Sequence, residues 1–530
     1  MIGPLQVKGR TKDTTRTGPN TVRTAKRIEA DRHVVLPGTD PQVQRNKAPR
    51  DQKSPKTIVE LLKLHSDALR RPIGARLFAF RKEWTNSPHF TMVGKGLSWT
   101  WSATRLPNRP KIKQNTSPTL DLFVREMSRK KVIEPVNHIR WQSRLFTVPK
   151  KDSDKERVIL DLSLLNESIL CAKFRMLSHK EVKLALTRDA WTTSIDLKDG
   201  YWHVPIAKSK RTYLGFRYRE QNYQFRALPF GLNIGPRSFT KLMSFVVQEL
   251  ADIGVWVLPY LDDFLVVCRS YTQAVEHTAK ALTTFHRLGL IVNVKKSRLI
   301  PAQQFEWLGI RWNLNAFTAT ASTQSYDNLN RCLLRIASAT QTTPKAVMVL
   351  QGHANWVGTC DATARLLLSV TKLWLRAIYH RHRTDQVPVS IANRLNLARW
   401  VRLPPQNCHL GSPAPTMTIQ TDASRSGWGF MIGREMFSGQ FDESMAGYHI
   451  NVLELLSIWY ALMIVTTTDG HIMVLTDNMV ARQCLVGKTT TKRELVGVTS
   501  LILRGIRRLR ASIQVQHIKV VYNILADQLS

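Results

Sequence analysis

Apolar positions change their spacing several times along the chain, and these changes divide it into segments. Over residues 120–312, amphipathic helical patches alternate with short β-rich runs such as RVILDLSL, TTSIDL and FLVVC, which predicts an α/β or α+β body. Residues 313–410 show mainly the helical spacing and end in LPPQNCHLGSPAPT, where the prolines and glycine predict a linker. A strand-like run, MTIQTDA, restarts the alternation over residues 417–530 and predicts a separate small α/β domain.

Residues 1–55 lack this patterning. They are rich in Lys, Arg, Thr, Pro and Gln and poor in aromatic side chains, a composition that buries too little apolar surface to offset the entropy of ordering. We expect a disordered basic arm there. The alternative is a stretch that lies upstream of the real domain and is not part of the mature protein. Residues 56–115 regain apolar positions and are expected to form an N-terminal extension of the folded body.

The charge balance points to a polyanionic partner. The 530 residues include 77 Lys plus Arg against 39 Asp plus Glu, a net charge of +38, which favours binding to nucleic acid or to an anionic membrane. No apolar run is long enough to span a bilayer, and the first residues lack the apolar core of a signal peptide. We therefore expect an intracellular protein, in the cytoplasm, the nucleus or both, without a membrane partner. The cysteines show no CxxC spacing, so neither a disulfide framework nor a zinc ribbon is indicated.

Acidic residues are scarce, so those in apolar surroundings are informative. Asp262 and Asp263 lie in WVLPYLDDFLVVC, where residues 256–260 and 264–268 are predicted to form two short strands joined by a tight turn at the two acids. Adjacent carboxylates with apolar flanks repel each other and lose hydration unless a cation compensates them. A divalent metal would do so. The alternative of equal weight is a solvated β-turn, because Asp is a good turn former.

A third carboxylate favours the metal interpretation. Asp196 ends the strand-like run in WTTSIDLKDGYWHVPI, and an Asp at a strand end beside the acidic hairpin would complete a two-metal site. Such sites activate an attacking oxygen and stabilise a leaving oxygen in phosphoryl displacement. Asp199 is the alternative ligand, although its place in the KDG turn fits a loop role better.

Six segments occur in order between residues 157 and 310: RVILDLSLLNE, SIDLKDGYWHVPI, LPFGLNIGPRSF, YLDD, GLIVNVKKS and FEWLGI. In this order and spacing they resemble the palm and fingers of retroelement reverse transcriptases. The resemblance implies a right-hand polymerase of the α+β class, with fingers and palm over residues 116–312 and a helical thumb or connection with a linker over residues 313–414. It also implies two Mg²⁺ ions, for which Mn²⁺ can substitute, bound by Asp196, Asp262 and Asp263.

The same resemblance assigns roles to residues around these acids. Tyr201 would be the steric gate under the incoming sugar, and Phe230 would help to shape the nucleotide and template pocket. Lys296 would lie near the leaving pyrophosphate, with Lys295 as its rival. The remaining implied residues are the triphosphate contacts Lys151 and Arg157 and the primer-grip hairpin of Trp307, Leu308 and Gly309, in which Trp307 is alternatively a core residue.

Four further acids stand in the C-terminal segment at a strand end, in a helix, at a second strand end and at a helix start: Asp422 after MTIQT, Glu454 in NVLELLSIWYALM, Asp477 after HIMVLT and Asp527 in NILAD. This pattern resembles the ribonuclease H fold, an α/β domain over residues 415–530 that uses two metal ions on phosphodiesters. Two features depart from it. His517 is a weak substitute for the mobile histidine of some homologues, and we expect the helix that carries Asp527 to be short.

Further strings narrow the resemblance to DIRS-type (tyrosine-recombinase) retrotransposons: PIGARLFAFRKEW, YQFRALPFGL, INVLELLSIWYAL and NILADQLS. The resemblance implies an RNA- and DNA-directed DNA polymerase with a fused ribonuclease H, acting on an RNA template, a DNA primer, an RNA/DNA hybrid and dNTPs. It also implies a recombinase and a capsid-like protein as partners. The alternatives are a pararetrovirus-like polymerase and a catalytically decayed or domesticated nucleic-acid-binding protein.

Overall fold

The structure is a computed structural model in which helices and sheets are mixed along the chain, as the α+β prediction requires. It describes residues 57–68, 70–102, 116–149, 156–379, 385–398, 400–401, 405–411, 414–445, 447–466, 469–487, 490 and 492–530. Residues Lys56–Ser530 form one compact unit. The predicted basic arm, residues 1–55, lies outside the described residues.

Helices occur in every part of the described chain, and none of them is long and apolar enough to cross a membrane. They are α1 (Ile58–Ala68), α2 (Phe90–Gly94), α3 (Pro118–Arg129), α4 (Ser163–Glu167), α5 (His179–Ala185), α6 (Lys208–Arg211), α7 (Gly235–Ala251), α8 (Tyr271–Arg287), α9 (Thr323–Ala337), α10 (Pro344–Val357), α11 (Ala362–Tyr379), α12 (Ile391–Ala398), α13 (Ile450–Ile464), α14 (Met479–Gly487), α15 (Arg493–Arg508) and α16 (Ile524–Leu529). Short 3₁₀ helices lie at Arg76–Trp84, Gly200–His203, Glu443–Met445 and Val520–Tyr522.

The strands are short and group into several separate sheets. They are β1 (Ile133–Val136), β2 (Arg144–Pro149), β3 (Glu156–Asp161), β4 (Trp191–Asp196), β5 (Gly215–Tyr218), β6 (Gln221–Phe225), β7 (Val257–Tyr260), β8 (Asp263–Cys268), β9 (Arg298–Ala302), β10 (Gln304–Trp307), β11 (Ile310–Asn313), β12 (Thr318–Ala321), β13 (Gln341–Thr342), β14 (Val387–Pro388), β15 (Cys408–His409), β16 (Met417–Ala423), β17 (Gly427–Ile432), β18 (Glu435–Gln440), β19 (His471–Thr476) and β20 (Ser512–His517). Their orders are β1-β6-β5, β2-β3, β7-β8-β4-β9, β10-β11-β12-β15, β13-β14 and β18-β17-β16-β19-β20.

The sheet β7-β8-β4-β9 is the centre of the first half of the described chain, and α7 and α8 pack against it. Helix α7 has Pro236 in its first turn, where a missing N–H costs no helical hydrogen bond. Its buried residues Phe239, Leu242 and Val246 recur at helical spacing and form the face that covers the sheet. Helix α8 begins where Ser270 Oγ accepts a hydrogen bond from the Gln273 N–H. The two helices therefore support the sheet by packing against it, and polar groups lie at the ends of its strands.

The five-stranded sheet β18-β17-β16-β19-β20 forms the centre of the C-terminal segment. Its strands β16, β19 and β20 run parallel, whereas β17 and β18 are antiparallel to their neighbours. Helix α13 is apolar on nearly every side because it lies between the sheet and α15. Parallel β16 and β19 end at the same edge of the sheet, so residues at those ends meet.

One hydrophobic core extends from the helical segment α9–α12 into the C-terminal sheet. Buried side chains of both parts belong to the same cluster, for example Leu333 and Leu367 from the helices and Ile419 and Ile502 from the C-terminal segment. Helices α11 and α15 pack on each other across the predicted boundary at residue 414. The boundary itself stays a prediction, but the apolar core does not stop there.

A buried polar network reinforces this junction. The Asp361 carboxylate, 1% exposed, accepts hydrogen bonds from Tyr326 Oη at 2.9 Å and from the Thr363 backbone N–H at 2.9 Å. Arg507 of α15 lies with Nη1 3.4 Å from Asp361 Oδ2. Removing one partner would leave the other charge buried and unpaired, which is strongly destabilising. The network therefore fixes α15 to the helical segment.

Two buried histidines, both in their neutral forms, hold the loop before β9. His203 Nδ1 lies 3.1 Å from the Gly200 carbonyl oxygen, and His203 Nε2 accepts the Ile291 N–H at 3.2 Å. His65 makes the same kind of pair, with the Leu282 carbonyl oxygen and the Val292 N–H. Each ring thus donates through one nitrogen and accepts through the other, an arrangement that only the neutral imidazole can make. Burial lowers the pKa of both rings, to about 4 in each case.

Acidification is expected to destabilise the fold through His203. The unfolded chain takes up a proton near the ordinary pKa of 6.5, whereas the folded ring stays neutral down to a pKa of about 4. Unfolding therefore gains protons between these values, and the free energy of unfolding falls as the pH drops from about 6.5 to about 4. Urea unfolding at a series of pH values measures this loss.

The variant His203→Gln isolates the contribution, because its amide keeps a donor and an acceptor but does not titrate. We expect the variant to be less stable at neutral pH and to lose less stability on acidification than the wild type. The exposed His138, changed to Gln, serves as the control and should keep the wild-type acid loss. An equal acid loss in His203→Gln and in the wild type would contradict the prediction.

Candidate active sites

The three central acids lie at one end of the sheet β7-β8-β4-β9. Asp196 is the last residue of β4 and is paired with Asp263, the first residue of β8. Directly opposed residues in antiparallel strands have Cα atoms about 4.5–5.5 Å apart. Asp262 lies in the turn immediately before Asp263, and its carbonyl oxygen accepts the Leu197 N–H at 2.8 Å. The structure thus brings Asp196 next to two consecutive acids that lie far from it in the sequence.

The predicted turn at Asp262 and Asp263 is wrong by one residue. Tyr260 and Asp263 are paired across β7 and β8, so Leu261 and Asp262 form the two-residue loop. Leu261 adopts a left-handed φ of 54°, a conformation that tight two-residue hairpins require and that leucine rarely supplies. Asp263 is therefore a paired strand residue opposite Asp196, not a solvated turn residue.

Burial and mutual repulsion make the charged forms of these acids costly. Burial, followed by the charges of Asp196 and Asp262, raises the pKa of Asp263 to about 6. Burial is also the main cause that raises the pKa of Asp196 and of Asp262. A bound cation would offset the repulsion among the three carboxylates and favour their charged forms.

Lys296 is the cation that faces this cluster. Its ammonium charge lowers the pKa of Asp196, Asp262 and Asp263, against the effect of burial. The loop that carries it is tied to β4, because the Asp196 N–H donates to Ser297 Oγ at 3.0 Å. Of the two rival lysines, Lys296 rather than Lys295 thus acts on the acids. The alternative ligand Asp199 lies with Oδ2 3.5 Å from Lys130 Nζ, so it has an ion-pair partner outside the cluster.

Tyr201 and Phe230 form an aromatic platform beside the acids. Their rings are stacked, with centroids 5.1 Å apart and an interplanar angle of 14°. Tyr201 is buried, whereas Phe230 is 54% exposed. Gly235 touches the other edge of the Tyr201 ring, where an added Cβ would come within 3.2 Å. The pair thus has one buried ring, Tyr201, and one exposed ring, Phe230. The exposed ring suits stacking against a ligand ring.

Asn166 supports this platform, and sequence reasoning did not single it out. Its Nδ2 donates to the Gly231 carbonyl oxygen at 2.8 Å, and its Oδ1 accepts the Asn233 N–H at 2.9 Å. Gly231 follows Phe230 with a φ of 93°, so the turn needs a glycine there. Asn166 is the penultimate residue of the string RVILDLSLLNE, which was the available signal, but nothing in that string indicates its partner.

The other predicted nucleotide contacts are only partly described. Arg157 lies on β3, which forms a hairpin-like sheet with β2, and it is exposed opposite Val148. Lys151 lies outside the described residues, so its distance from Arg157 stays a prediction.

The predicted primer-grip residues form a tight turn with a buried base. Leu308 and Gly309 join β10 to β11 and both have left-handed φ values, 51° and 67°. Trp307 is buried in a core cluster with Phe305 and Trp312, so its side chain fits the core alternative. Leu308 and Gly309 are half-buried and are the residues of this motif that solvent reaches.

A second acidic cluster lies at the end of β16 and β19 in the C-terminal sheet. Asp422, Glu454 and Asp477 each contribute one carboxylate oxygen to this cluster, and these three oxygens lie within 4.8 Å of one another. In the part of the chain that the structure describes, no other group of three His, Cys, Asp or Glu residues meets this distance. Burial, together with the charges of the neighbouring acids, raises the pKa of Asp422 to about 6 and that of Glu454 to about 8. Glu454 Oε2 is buried and has no hydrogen-bond partner among the described residues, which suits a metal ligand.

Asp527 and the end of the chain border this cluster. Asp527 is exposed on α16, and its charge raises the pKa of Asp422 and of Asp477 after the effect of burial. Asn523, fully buried, donates through Nδ2 to Asp422 Oδ1 at 2.9 Å. Ser530 donates through Oγ to Asp422 Oδ2 at 2.8 Å. The short last helix is therefore held to the acids by two side chains that sequence reasoning did not assign.

Comparisons with known proteins match the part of the chain that contains the first cluster. Residues 148–312 match the family model described as reverse transcriptase (RNA-dependent DNA polymerase). An enzymatic polyprotein of cassava vein mosaic virus is 22% identical over 79% of this chain and 66% of its own length. The Pol polyprotein of the gypsy transposon of Drosophila melanogaster is 24% identical over 64% of this chain and 33% of its own length. The chain thus spans less than two thirds of the length of these relatives.

Solved structures give the same fold. The foamy viral protease-reverse transcriptase in complex with dsDNA has a TM-score of 0.50 at 15% identity, covering 89% of this chain and 99% of that one. A second structure of that protein, also with double-stranded DNA, has a TM-score of 0.50 at 14% identity. The predicted α+β polymerase fold is confirmed. Residues 148–312 are therefore a reverse transcriptase domain of the kind found in retroelement and pararetrovirus polyproteins.

Proposed function

We propose that the chain is an RNA- and DNA-directed DNA polymerase whose reaction centre is Asp196, Asp262 and Asp263. The pairing of Asp196 with Asp263 at the end of the central sheet carries this proposal. With Asp262 in the adjoining turn, this pairing puts three acids at one end of the sheet, next to the charge of Lys296. Two divalent cations, Mg²⁺ or Mn²⁺, would supply charge neutralisation and lower the pKa of the attacking 3′-hydroxyl.

The residues around the acids fit a nucleoside triphosphate with a primer and a template. Lys296 would neutralise charge on the departing pyrophosphate, and Arg157 with Lys151 would bind the triphosphate from the fingers side. The Tyr201 ring would lie under the sugar, and Phe230 would contact the base or the template. The half-buried turn of Leu308 and Gly309, with Trp307 as its anchor in the core, would support the primer end.

We further propose that Asp422, Glu454, Asp477 and Asp527 cleave the RNA strand of an RNA/DNA hybrid as a ribonuclease H. The closeness of three of these acids, together with the unpartnered Glu454 oxygen, supports a second metal-binding site of the same ions. Asn523 and Ser530 would orient Asp422 through their hydrogen bonds. His517, whose charge lowers the pKa of Asp477 against the effect of burial, is the nearest substitute for a mobile histidine.

Within retroelements, we assign the chain to the DIRS type, inside the cell, with an element-encoded recombinase and a capsid-like protein as partners. The sequence strings quoted above support this assignment. The competing function is a nucleic-acid-binding protein without catalysis. Primer extension on a homopolymer RNA template, with a titration of Mg²⁺ or Mn²⁺, distinguishes the two, because binding alone is weakened by salt and needs no metal.

Tyr201→Ala is expected to relax the selection against ribonucleotides. The change removes the ring that would touch the 2′-position, so the incorporation of rNTPs relative to dNTPs should rise by roughly 10–200-fold, the range for small steric differences in a pocket. Competitive single-nucleotide extension with matched rNTP and dNTP measures the ratio.

Tyr271→Ala, at an exposed tyrosine that begins α8, is the matched control and should keep the wild-type ratio. A Tyr201→Ala variant that extends primers with an unchanged ratio would remove Tyr201 from sugar selection and leave the assignment of the acids intact.

A further inference from the structure

Two cysteines line a cavity that neither acidic cluster uses. The cavity measures about 390 Å³ and lies between β15, α14 and β20. Cys360, in the connection between α10 and α11, and Cys408, the first residue of β15, both line it. Although they are far apart in the sequence, Cys408 packs against the buried cluster that contains Cys360, and Lys183 Nζ donates both to Cys408 Sγ and to the carbonyl oxygen of Thr359, the residue before Cys360. Both are free cysteines.

The two sulfurs have different surroundings. Lys183 donates through Nζ to Cys408 Sγ at 3.1 Å and to the Thr359 carbonyl oxygen at 2.6 Å, so the ammonium group is fixed beside that sulfur. A fixed cation beside a sulfur stabilises the thiolate, which is the reactive form of cysteine. Cys360 is buried, and the neighbouring Cys408 thiol together with burial raises its pKa. Cys408 is half-buried and lines the cavity wall, so it is the sulfur that a reagent reaches first.

We propose that Cys408 and Cys360 form a redox modification site for small-molecule disulfides, with Cys408 as the attacking thiol and Cys360 as the resolving thiol. In the first step the Cys408 thiolate attacks one sulfur of a disulfide RS–SR, forms a mixed disulfide and releases RS⁻, which takes up a proton from solvent. In the second step the Cys360 sulfur attacks Cys408 Sγ and forms the intramolecular disulfide. The second RS⁻ leaves with the proton that Cys360 loses. The two cysteines are oxidised, and RS–SR is reduced to two RSH.

The bridge would act on a part of the chain that matters for the first site. Strand β15 lies at the edge of the sheet β10-β11-β12, which carries the turn of Leu308 and Gly309. A disulfide to Cys360 would tie this edge strand to the start of α11. Closing the loop between residues 360 and 408 restricts the unfolded chain, so the oxidised protein should melt at a higher temperature than the reduced protein.

The test uses the full chain, reduced and then exposed to graded oxidised glutathione, followed by alkylation and peptide mass spectrometry. We expect a Cys360–Cys408 cross-linked peptide in the wild type and a stable glutathione adduct on Cys408 in Cys360→Ser. Lys183→Met, which keeps the side-chain length but not the charge, should slow the reaction by about tenfold, as for a loss of one pKa unit of thiolate stabilisation. Cys171→Ser, at an exposed cysteine, should leave the cross-link unchanged.

Two results would overturn the proposal. One is a wild-type protein that carries glutathione at Cys171 while residues 360 and 408 stay reduced. The other is a Cys408 adduct in the wild type that never proceeds to the cross-link. Both are read on the wild-type chain, so they hold even if a variant fails to fold. Thermal melting of the oxidised and reduced wild type gives the second measurement, and identical melting temperatures despite a formed cross-link would refute the proposed effect on β15.

Discussion

Asp263→Asn is expected to abolish nucleotide incorporation, with a loss of at least about a thousandfold, while the protein becomes more stable. A cation held by three carboxylates contributes several kcal/mol to phosphoryl transfer, and each 1.4 kcal/mol is about tenfold in rate. The amide keeps the shape of the carboxyl group but lacks the charge that would hold the ions.

The expected gain in stability has the same origin as the loss of activity. Burial and the neighbouring acids hold the pKa of Asp263 at about 6, so near neutral pH without metal the folded state contains a carboxylate that it disfavours. Removing that charge relieves the repulsion with Asp196 and Asp262. The urea midpoint of the metal-free variant should therefore exceed that of the wild type.

The measurement is primer extension with Mg²⁺ and with Mn²⁺, next to urea unfolding of the same preparations. Asp252→Asn is the matched control, because it makes the same change at an exposed residue that follows α7. Asp199→Asn decides between the two candidate ligands: activity should persist, since Asp199 already pairs with Lys130. Robust extension by Asp263→Asn, or by the double variant with Asp262→Asn, would contradict the proposed reaction centre.

Glu454→Gln is expected to remove RNA cleavage and to leave primer extension in place. Glu454 is buried, one of its oxygens has no partner, and its carboxylate lies within 4.8 Å of those of Asp422 and Asp477. An amide in this place provides no charge for a cation, so hydrolysis should fall by at least about a thousandfold. The neutral side chain also suits the buried position, and the metal-free variant should be at least as stable as the wild type.

A labelled RNA strand in a hybrid duplex reports cleavage, and extension of a DNA primer by the same preparation reports the polymerase. Glu443→Gln, at an exposed residue of a 3₁₀ helix in the same segment, is the control and also exposes any contaminating nuclease. Wild-type cleavage by Glu454→Gln would show that the hydrolysis comes from elsewhere.

Local patterns in the sequence predicted the elements that carry the acids, but not which residues lie next to them. The run FLVVC lies within strand β8, and TTSIDL lies within strand β4 except for its last residue, Leu197, as the apolar character of both runs predicts. The turn was misplaced by one residue because Leu261 adopts a left-handed conformation that nothing in its identity suggests. That shift decides whether Asp263 opposes Asp196 or lies in the loop.

Partners that are distant along the chain could not be predicted at all. Asn166 contacts Gly231, and Arg507 contacts Asp361, yet neither pair leaves a periodic or spaced signal in one sequence. Trp307 is apolar and could equally lie in the core or at the surface, and only tertiary packing places it inside. The types of chemistry could thus be inferred from strings of residues, whereas the supporting contacts depend on the complete fold.

The core that continues from α11 into α15 limits how this protein can be divided. Expressing residues 415–530 alone would expose to water the apolar face of α15 that α11 covers, together with Arg507 deprived of Asp361. Cutting the chain near residue 414 should therefore give two fragments that aggregate when each is produced alone and stay in solution when they are produced together. A version of residues 415–530 designed to fold alone therefore has to include the preceding helices.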